Sequence, residues 1–249
     1  MNYIKFFVAA VLFVIIIILV RDAVRMIMLI KKSAVLVANA VPFERTLTSA
    51  KHRIIVLGDS TGVGVGASDP ALSTAGRMAS AYPNASVTNR SKSARRIHEL
   101  LETLHSETFP HADLVLIQIG ANDIVYFTPL KSIDTDLDTL LRKAKTISDH
   151  VVILHSGDVG LAPIFPSYIG YFFSKRSLAV RDIYMRQAQI HGVGYVDLYR
   201  TKEKDIFLTN IDKFYANDHF HPSGAGYEDW FKQIEQAIIN TYGNDDFLR

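Results

Sequence analysis

Arg53-Ile54-Ile55-Val56-Leu57-Gly58-Asp59-Ser60-Thr61-Gly62 reads as an apolar, β-branched strand running straight into a tight turn that carries a serine. Outward from it, strand-length apolar runs recur at Val87–Asn89, Leu114–Ile119, Val151–His155 and Tyr195–Leu198. Helical spacing fills the intervals, at Thr74–Ala81, Ala94–Leu104, Ile133–Ser148 and Ser174–His191, and Tyr227–Tyr242 closes the chain. Such alternation implies parallel strands, because only parallel neighbours need a crossover helix, and right-handed crossovers cover both faces of a sheet. The predicted fold is α/β, a three-layer α/β/α sandwich around a parallel sheet of about five strands. Ligands of such sheets sit beyond the carboxyl ends of the strands, so the loops that follow the strands carry the function.

Composition narrows the chemistry. The 249 residues are 49% hydrophobic and 21% charged, sufficient for one well-buried domain and an additional segment. Lys and Arg total 27 against 25 Asp and Glu, a net charge of +2 that argues against a nucleic-acid partner. The absence of cysteine excludes thiol nucleophiles, thiolate metal sites and disulfides. Ser, His, Asp, Glu and Asn must supply the reactive groups.

The additional segment is N-terminal. Phe6–Val20 is an unbroken apolar run of 15 residues, FFVAAVLFVIIIILV, with Lys5 before it and Arg21, Asp22 and Arg25 after it. As a helix the run spans only about 22 Å, but Tyr3, Ile4 and Met26–Ile30 extend it toward the ~30 Å of a hydrocarbon core if the arginines snorkel. Residues 1–32 are therefore expected to form a single-pass membrane anchor with a basic flank, 33–50 a juxtamembrane linker, and 51–249 the globular domain. A cleaved signal peptide is the rival, since Ala38-Asn39-Ala40 has the small-x-small form, although it lies far beyond the apolar run. A buried core helix is the third reading. Arg21, Arg25, Lys31 and Lys32 outweigh Lys5, and the positive-inside rule then puts the domain in the cytoplasm.

At the strand ends, two phosphate-binding readings fail. Gly62-Val63-Gly64-Val65-Gly66 has the wrong spacing for a dinucleotide fingerprint, and no Gly-Lys-Ser/Thr ends a phosphate loop. Gly58–Gly62 fits the G-x-S-x-G nucleophile pattern, but with only one strand ahead of the serine. Two further blocks accompany it: Gly120-Ala121-Asn122-Asp123 after the third strand, and Asp218-His219-Phe220-His221-Pro222-Ser223-Gly224-Ala225-Gly226-Tyr227 near the C-terminus.

Taken together, these blocks resemble the GDSL esterases, or SGNH hydrolases, over about Arg53 to Tyr242, with the closing D-x-x-H-P block the most specific. The resemblance implies a flavodoxin-like SGNH fold, hydrolysis of esters, and in many members work outside the cytoplasm, against the charge count. It also implies Ser60, Asp218 and His221 as catalytic residues. The second block departs from the pattern: in Asn89-Arg90-Ser91-Lys92-Ser93-Ala94, Ala94 stands where the family has glycine. Its N–H can serve equally if φ is negative, and is strained if φ is positive.

In that scheme Ser60 is the nucleophile, His221 its base and Asp218 the group that orients the base. The N–H groups of Ser60 and Ala94 and the Asn122 amide form the oxyanion hole. No cofactor is expected. His219 is expected to be a bystander; a His219/His221 metal pair lacks further ligands, and Asp134, Asp136 and Asp138 fail as a calcium loop and read instead as an acidic helix start. Arg90, Lys92, Arg95 and Arg96 suit either an anionic substrate or a solvated basic face. Phe165, Tyr168 and Phe172, in an aromatic stretch after the fourth strand, are expected to contact substrate, the bilayer or simply the sheet. The partners implied are a small-molecule or lipid ester and the membrane, and lipid-like acyl substrates are favoured. The alternatives are an O-acetyl esterase of cell-envelope glycan and a catalytically silent membrane scaffold.

Overall fold

The structure, a computed structural model, describes residues 2–249. Five strands, β1 (His52–Gly58), β2 (Ala85–Asn89), β3 (Leu114–Gln118), β4 (Val151–Leu154) and β5 (Gly194–Val196), form one sheet in the order β2-β1-β3-β4-β5, every adjacent pair parallel. The helices are α1 (Asn2–Asn39), α2 (Ser60–Val63), α3 (Thr74–Ala81), α4 (Ile97–Ser106), α5 (Ala121–Val125), α6 (Leu130–Ile147), α7 (Ser167–His191), α8 (Ile206–Thr209), α9 (Ile211–Phe214) and α10 (Gly224–Tyr242). Side chains alternate across each strand, so Ile55, Leu57, Val115, Ile117 and Ile153 pack with α4, α6 and α7. Ile54, Val56, Leu116 and Leu154 pack with α3 and α10 on the other face. This is the three-layer sandwich expected from the alternation. Because both faces are covered, β3 is buried at all five positions, which explains why it reads as a continuous apolar run.

The strand order reverses direction between β1 and β3. That is the switch point at which the loops leaving adjacent strands diverge and open a crevice, and Ser60 and Asn122 follow those two strands.

Several helix boundaries move from their expected places for local reasons. The second helix of the expected set, α4, begins at Ile97 instead of Ala94: Ala94 takes a φ of 65°, and Arg96 caps the helix while the Glu99 carboxylate accepts its N–H. Helix α6 starts at Leu130, behind Pro129. Asp134, Asp136 and Asp138 consequently sit in its second and third turns, beyond the dipole effect expected for them; Asp134 accepts from Gln187, and Asp138 pairs with Arg142 and with His191 at 2.9 Å. Helix α7 begins at Ser167, behind Pro166, so most of the aromatic stretch is its first two turns.

Helix α1 is continuous through Asn39, and residues 33–39 of the expected linker are helical. Its most apolar 18-residue window has a mean hydropathy of 3.0 and none of it is buried in the protein. The segment after it is docked. Arg45 bridges antiparallel to Val87 on the edge strand β2, and its guanidinium donates to the carbonyls of Ala79, Tyr82 and Ala85. Phe43 packs against the core beside α3 and α10, so domain packing starts ahead of Lys51.

Candidate active site

The strand β1 ends at Gly58, where a Cβ would lie 2.0 Å from the Gln118 carbonyl oxygen; only glycine lets β1 and β3 approach this closely as their loops diverge. Asp59 then caps α2, its Oδ1 accepting from the Thr61 N–H at 2.9 Å and the Thr61 hydroxyl at 2.8 Å. Ser60 is the first residue of that turn, and its N–H therefore lacks an intrahelical partner.

His221 arrives from the other end of the chain. Residues 216–222 fold into a tight loop in which His219 takes a φ of 57°, its N–H donates to Ala216 O and the Ala216 N–H to His221 O. Asp218 Oδ1 accepts the N–H groups of Phe220 and His221, which leaves Oδ2 to accept His221 Nδ1–H at 2.6 Å. His221 Nε2 then faces Ser60 Oγ at 2.9 Å. Burial alone would raise the Asp218 carboxyl, but the hydrogen bond and charge of His221, together with the two backbone N–H donors, hold it below the usual carboxylate value. Behind this loop, Ser223 caps α10 and the buried Tyr227 hydroxyl donates to Val65 O at 2.7 Å, fixing α10 against the stretch that follows Ser60.

Asn122 stands on α5. Its side-chain nitrogen donates one proton to Arg95 O at 3.0 Å, and the second proton is available to another acceptor. The Arg95–Arg96 peptide is thereby held beside Asn122, and the Ala94 N–H has no acceptor in the chain among the described residues. Ala94 does occupy the left-handed region, a conformation that costs an L-residue roughly 1–2 kcal/mol. Asn89 braces the same loop from below: Nδ2 donates to Gly62 O at 2.9 Å and Oδ1 accepts from Ser91 N–H at 3.0 Å.

Two buried carboxyls lie behind the serine. Asp59 is pushed up to about 6 by burial, against the opposing hydrogen bonds of Thr61 and the charge of His221. Burial likewise pushes Asp123 up to about 6, although it accepts the Ile97 N–H at 3.0 Å. Asp123 thus ties the start of α4 to α5 and keeps the Ala94 loop next to Asn122. Sequence reading passed over the bracing by Asn89, Asp59 and Asp123; their polarity at the ends of buried strands is the signal that could have found them.

Ser60, Asn122 and His221 open onto a cavity of about 60 Å³. Its walls are apolar at Val159, Ala162, Leu198, Phe207, Phe220 and Trp230, and polar at Asp158, Arg200 and Asp205. Burial raises both Asp158 and Asp205, and Arg200 is paired with Asp229 at 2.8 Å. The aromatic stretch stands differently from expectation. Phe165 packs on Phe173 and Phe220 behind the cavity wall, whereas Tyr168 and Phe172 are exposed on α7 and lie outside the cavity. A helix presents only one face to the core, and here that face belongs to Gly170 and Phe173. Of the basic residues, Arg90 pairs with Glu44 and Arg96 with Glu99. His219 has no partner for its buried Nδ1, and among the described residues no group of three or more His, Asp or Glu side chains has metal-binding spacing.

The fold is an α/β domain in which a serine follows the first strand of the sheet. Residues 56–228 match the sequence profile of the GDSL-like Lipase/Acylhydrolase family, and the chain belongs to that family of ester-hydrolysing enzymes. Similar solved structures include TesA, at 18% identity and a TM-score of 0.59 over 76% of this chain and 99% of that one. LAE5, an alpha/beta hydrolase from the metagenome of Lake Arreo, Spain, is 17% identical with a TM-score of 0.58 over 76% of this chain and 96% of its own. Axe2, an acetylxylan esterase from Geobacillus stearothermophilus, is 17% identical with a TM-score of 0.55 over 81% and 98%. At these identities the likeness is one of fold. A search of curated protein sequences finds no match.

Proposed function

We propose that the protein is a membrane-tethered serine hydrolase that cleaves carboxylic esters or thioesters through a Ser60 acyl-enzyme, with lipid-like acyl groups as its preferred substrates. The observation that carries this reading is the hydrogen-bonded line Ser60–His221–Asp218 at the edge of a partly apolar cavity. With Asp218 accepting from Nδ1–H, the free lone pair of His221 is on Nε2 and takes the Ser60 proton as Oγ attacks the carbonyl carbon. The carbonyl π pair moves onto oxygen, and the N–H groups of Ser60 and Ala94 with the second Asn122 proton stabilise that charge. Collapse breaks the bond to the alcohol or thiol, which leaves with the proton from His221. Water then attacks the acyl carbon, gives its proton to His221, and the acid departs as Ser60 recovers its proton. The mean hydropathy of α1 supports the tether.

A second reading, an O-acetyl esterase acting on glycan, draws on the polar end of the cavity at Asp158, Arg200 and Asp205 and on the fold shared with an acetylxylan esterase. Hydrolysis of p-nitrophenyl esters from acetyl to long acyl chains, with Ser60→Ala alongside, tests both. Ser60-dependent turnover that rises with chain length is expected; turnover confined to acetyl favours the second reading, and turnover unchanged in Ser60→Ala overturns the mechanism.

A further inference from the structure

The apolar run of α1 ends at Val20, and the domain packs against the helix immediately beyond it. Asp22, Arg25, Met26 and Leu29 recur on one face of α1 and are withdrawn from solvent, while the residues between them are exposed. The partners nearest the apolar run come from residues 162–165: the Arg25 guanidinium donates to Pro163 O, and Leu29 packs with Ala162 and Ile164, with Phe165 and, from the His221 loop, Phe220 alongside. Ala162 and Phe220 also line the cavity at Ser60. Arg25 lies only five positions, about 7.5 Å of helix, beyond Val20, which is the depth of a headgroup layer. If α1 spans the bilayer, the cavity rim is the edge of the domain closest to it.

The chain leaves this rim directly into α7, whose first turns expose Tyr168 (44%), Tyr171 (55%) and Phe172 (62%). The exposed Phe127, whose ring centroid lies 5.6 Å from that of the buried Phe173, and the exposed Leu130 add to the apolar surface. Its border is cationic. Lys175 sits over the Tyr171 ring at 4.6 Å, Arg176 lies over Phe127, Lys131 follows Leu130, and no Asp or Glu occurs between Asp158 and Asp182. Amphipathic aromatic rings edged by Lys and Arg are the composition that settles at an anionic lipid–water interface.

We propose that this aromatic face of α7 and the α5–α6 junction docks on the surface of the bilayer that α1 anchors, so that the mouth of the Ser60 cavity opens onto the headgroup layer and acyl esters enter from the leaflet. The proposal rests on α1 as the anchor and Ser60 as the nucleophile.

The chain has no cysteine, so a single introduced one reports one position. The test uses the full chain in vesicles of phosphatidylcholine and phosphatidylglycerol, labelled with an environment-sensitive fluorophore at Phe172→Cys or, as a control at the far end of α7, at Ile190→Cys. Nitroxide lipids are expected to quench the label at 172 and aqueous iodide the label at 190. In unlabelled protein, Tyr171→Ser/Phe172→Ser should lower turnover of a long-chain ester dispersed in the same vesicles about tenfold, with soluble p-nitrophenyl acetate within about twofold. Equal iodide quenching at both positions overturns the proposal. So does shielding at 172 that grows as self-quenching with protein density, which would make a second copy the occupant. A full chain that does not float with vesicles removes the anchor and the docking together, whereas turnover that survives Ser60→Ala sinks the catalytic reading and leaves the quenching result standing.

Discussion

Ala94 is exposed, lies outside the lining of the Ser60 cavity, and violates a conformational preference. What the proposed oxyanion site would take from this position is a backbone N–H, which alanine possesses, and the cost is the left-handed φ of 65°. Ala94→Gly should relieve that strain, offset in part by the greater freedom of glycine in the unfolded chain, for a net gain of about 0.5–1 kcal/mol. Calorimetry of both proteins in the same detergent checks the gain, and kcat should stay within about twofold because the donor is retained. Asn122→Ala removes a donor instead, and kcat is expected to fall by about 10²–10³ with little change in KM. Asp123 carries a different cost. Held at about 6 by burial, its carboxyl favours the protonated form in the folded protein, so its ionisation opposes folding most at neutral pH and progressively less as pH falls through 6 toward the unfolded value. Asp123→Asn should therefore stabilise the protein at pH 7, and denaturant melts should show that advantage shrinking by about 1 kcal/mol at pH 5. An advantage that grows on acidification would contradict the sign.

Among the elements, the terminal helix α10 does more than cover the sheet. Its N-cap Ser223 follows the His221 loop directly, and Tyr227 in its first turn reaches Val65, just past the serine turn. The two halves of the site, more than 150 residues apart in sequence, are thus clamped by one hydroxyl. Tyr227→Phe should cost about 1–3 kcal/mol, because the Val65 carbonyl loses its donor in a fully buried position. A lowered melting temperature together with a lower kcat is the expected pattern; a lowered melting temperature alone would mean that the clamp holds the fold and not the Ser60–His221 distance.

Over the whole molecule, the segment that follows α1 is part of the domain. Arg45 satisfies three carbonyls at the edge of β2 and α3, so the chain between α1 and β1 is pinned instead of free. Arg45→Ala is expected to expose residues 40–51 to limited proteolysis of the full chain, and an unchanged cleavage pattern would show that the β bridge to Val87 suffices. The sequence alone determines the sandwich, since alternating strand and helix periodicity follows from which faces must be buried, and its resemblance to the GDSL esterases points to Ser60, Asn122, Asp218 and His221 as the candidate site. It does not determine the placement of α7. The aromatic run Tyr168–Phe173 reads equally as pocket, bilayer contact or packing, because its pattern says only that one face is apolar, and Pro166 starts the helix seven residues before Ser174 and so turns Tyr168 and Phe172 away from the cavity. The sign of φ at Ala94, the carboxyls of Asp59 and Asp123 under the serine, and the contact of α1 with the cavity rim were decided by tertiary structure alone. Each depends on which distant segments meet, and a local pattern of hydrophobicity carries no record of that.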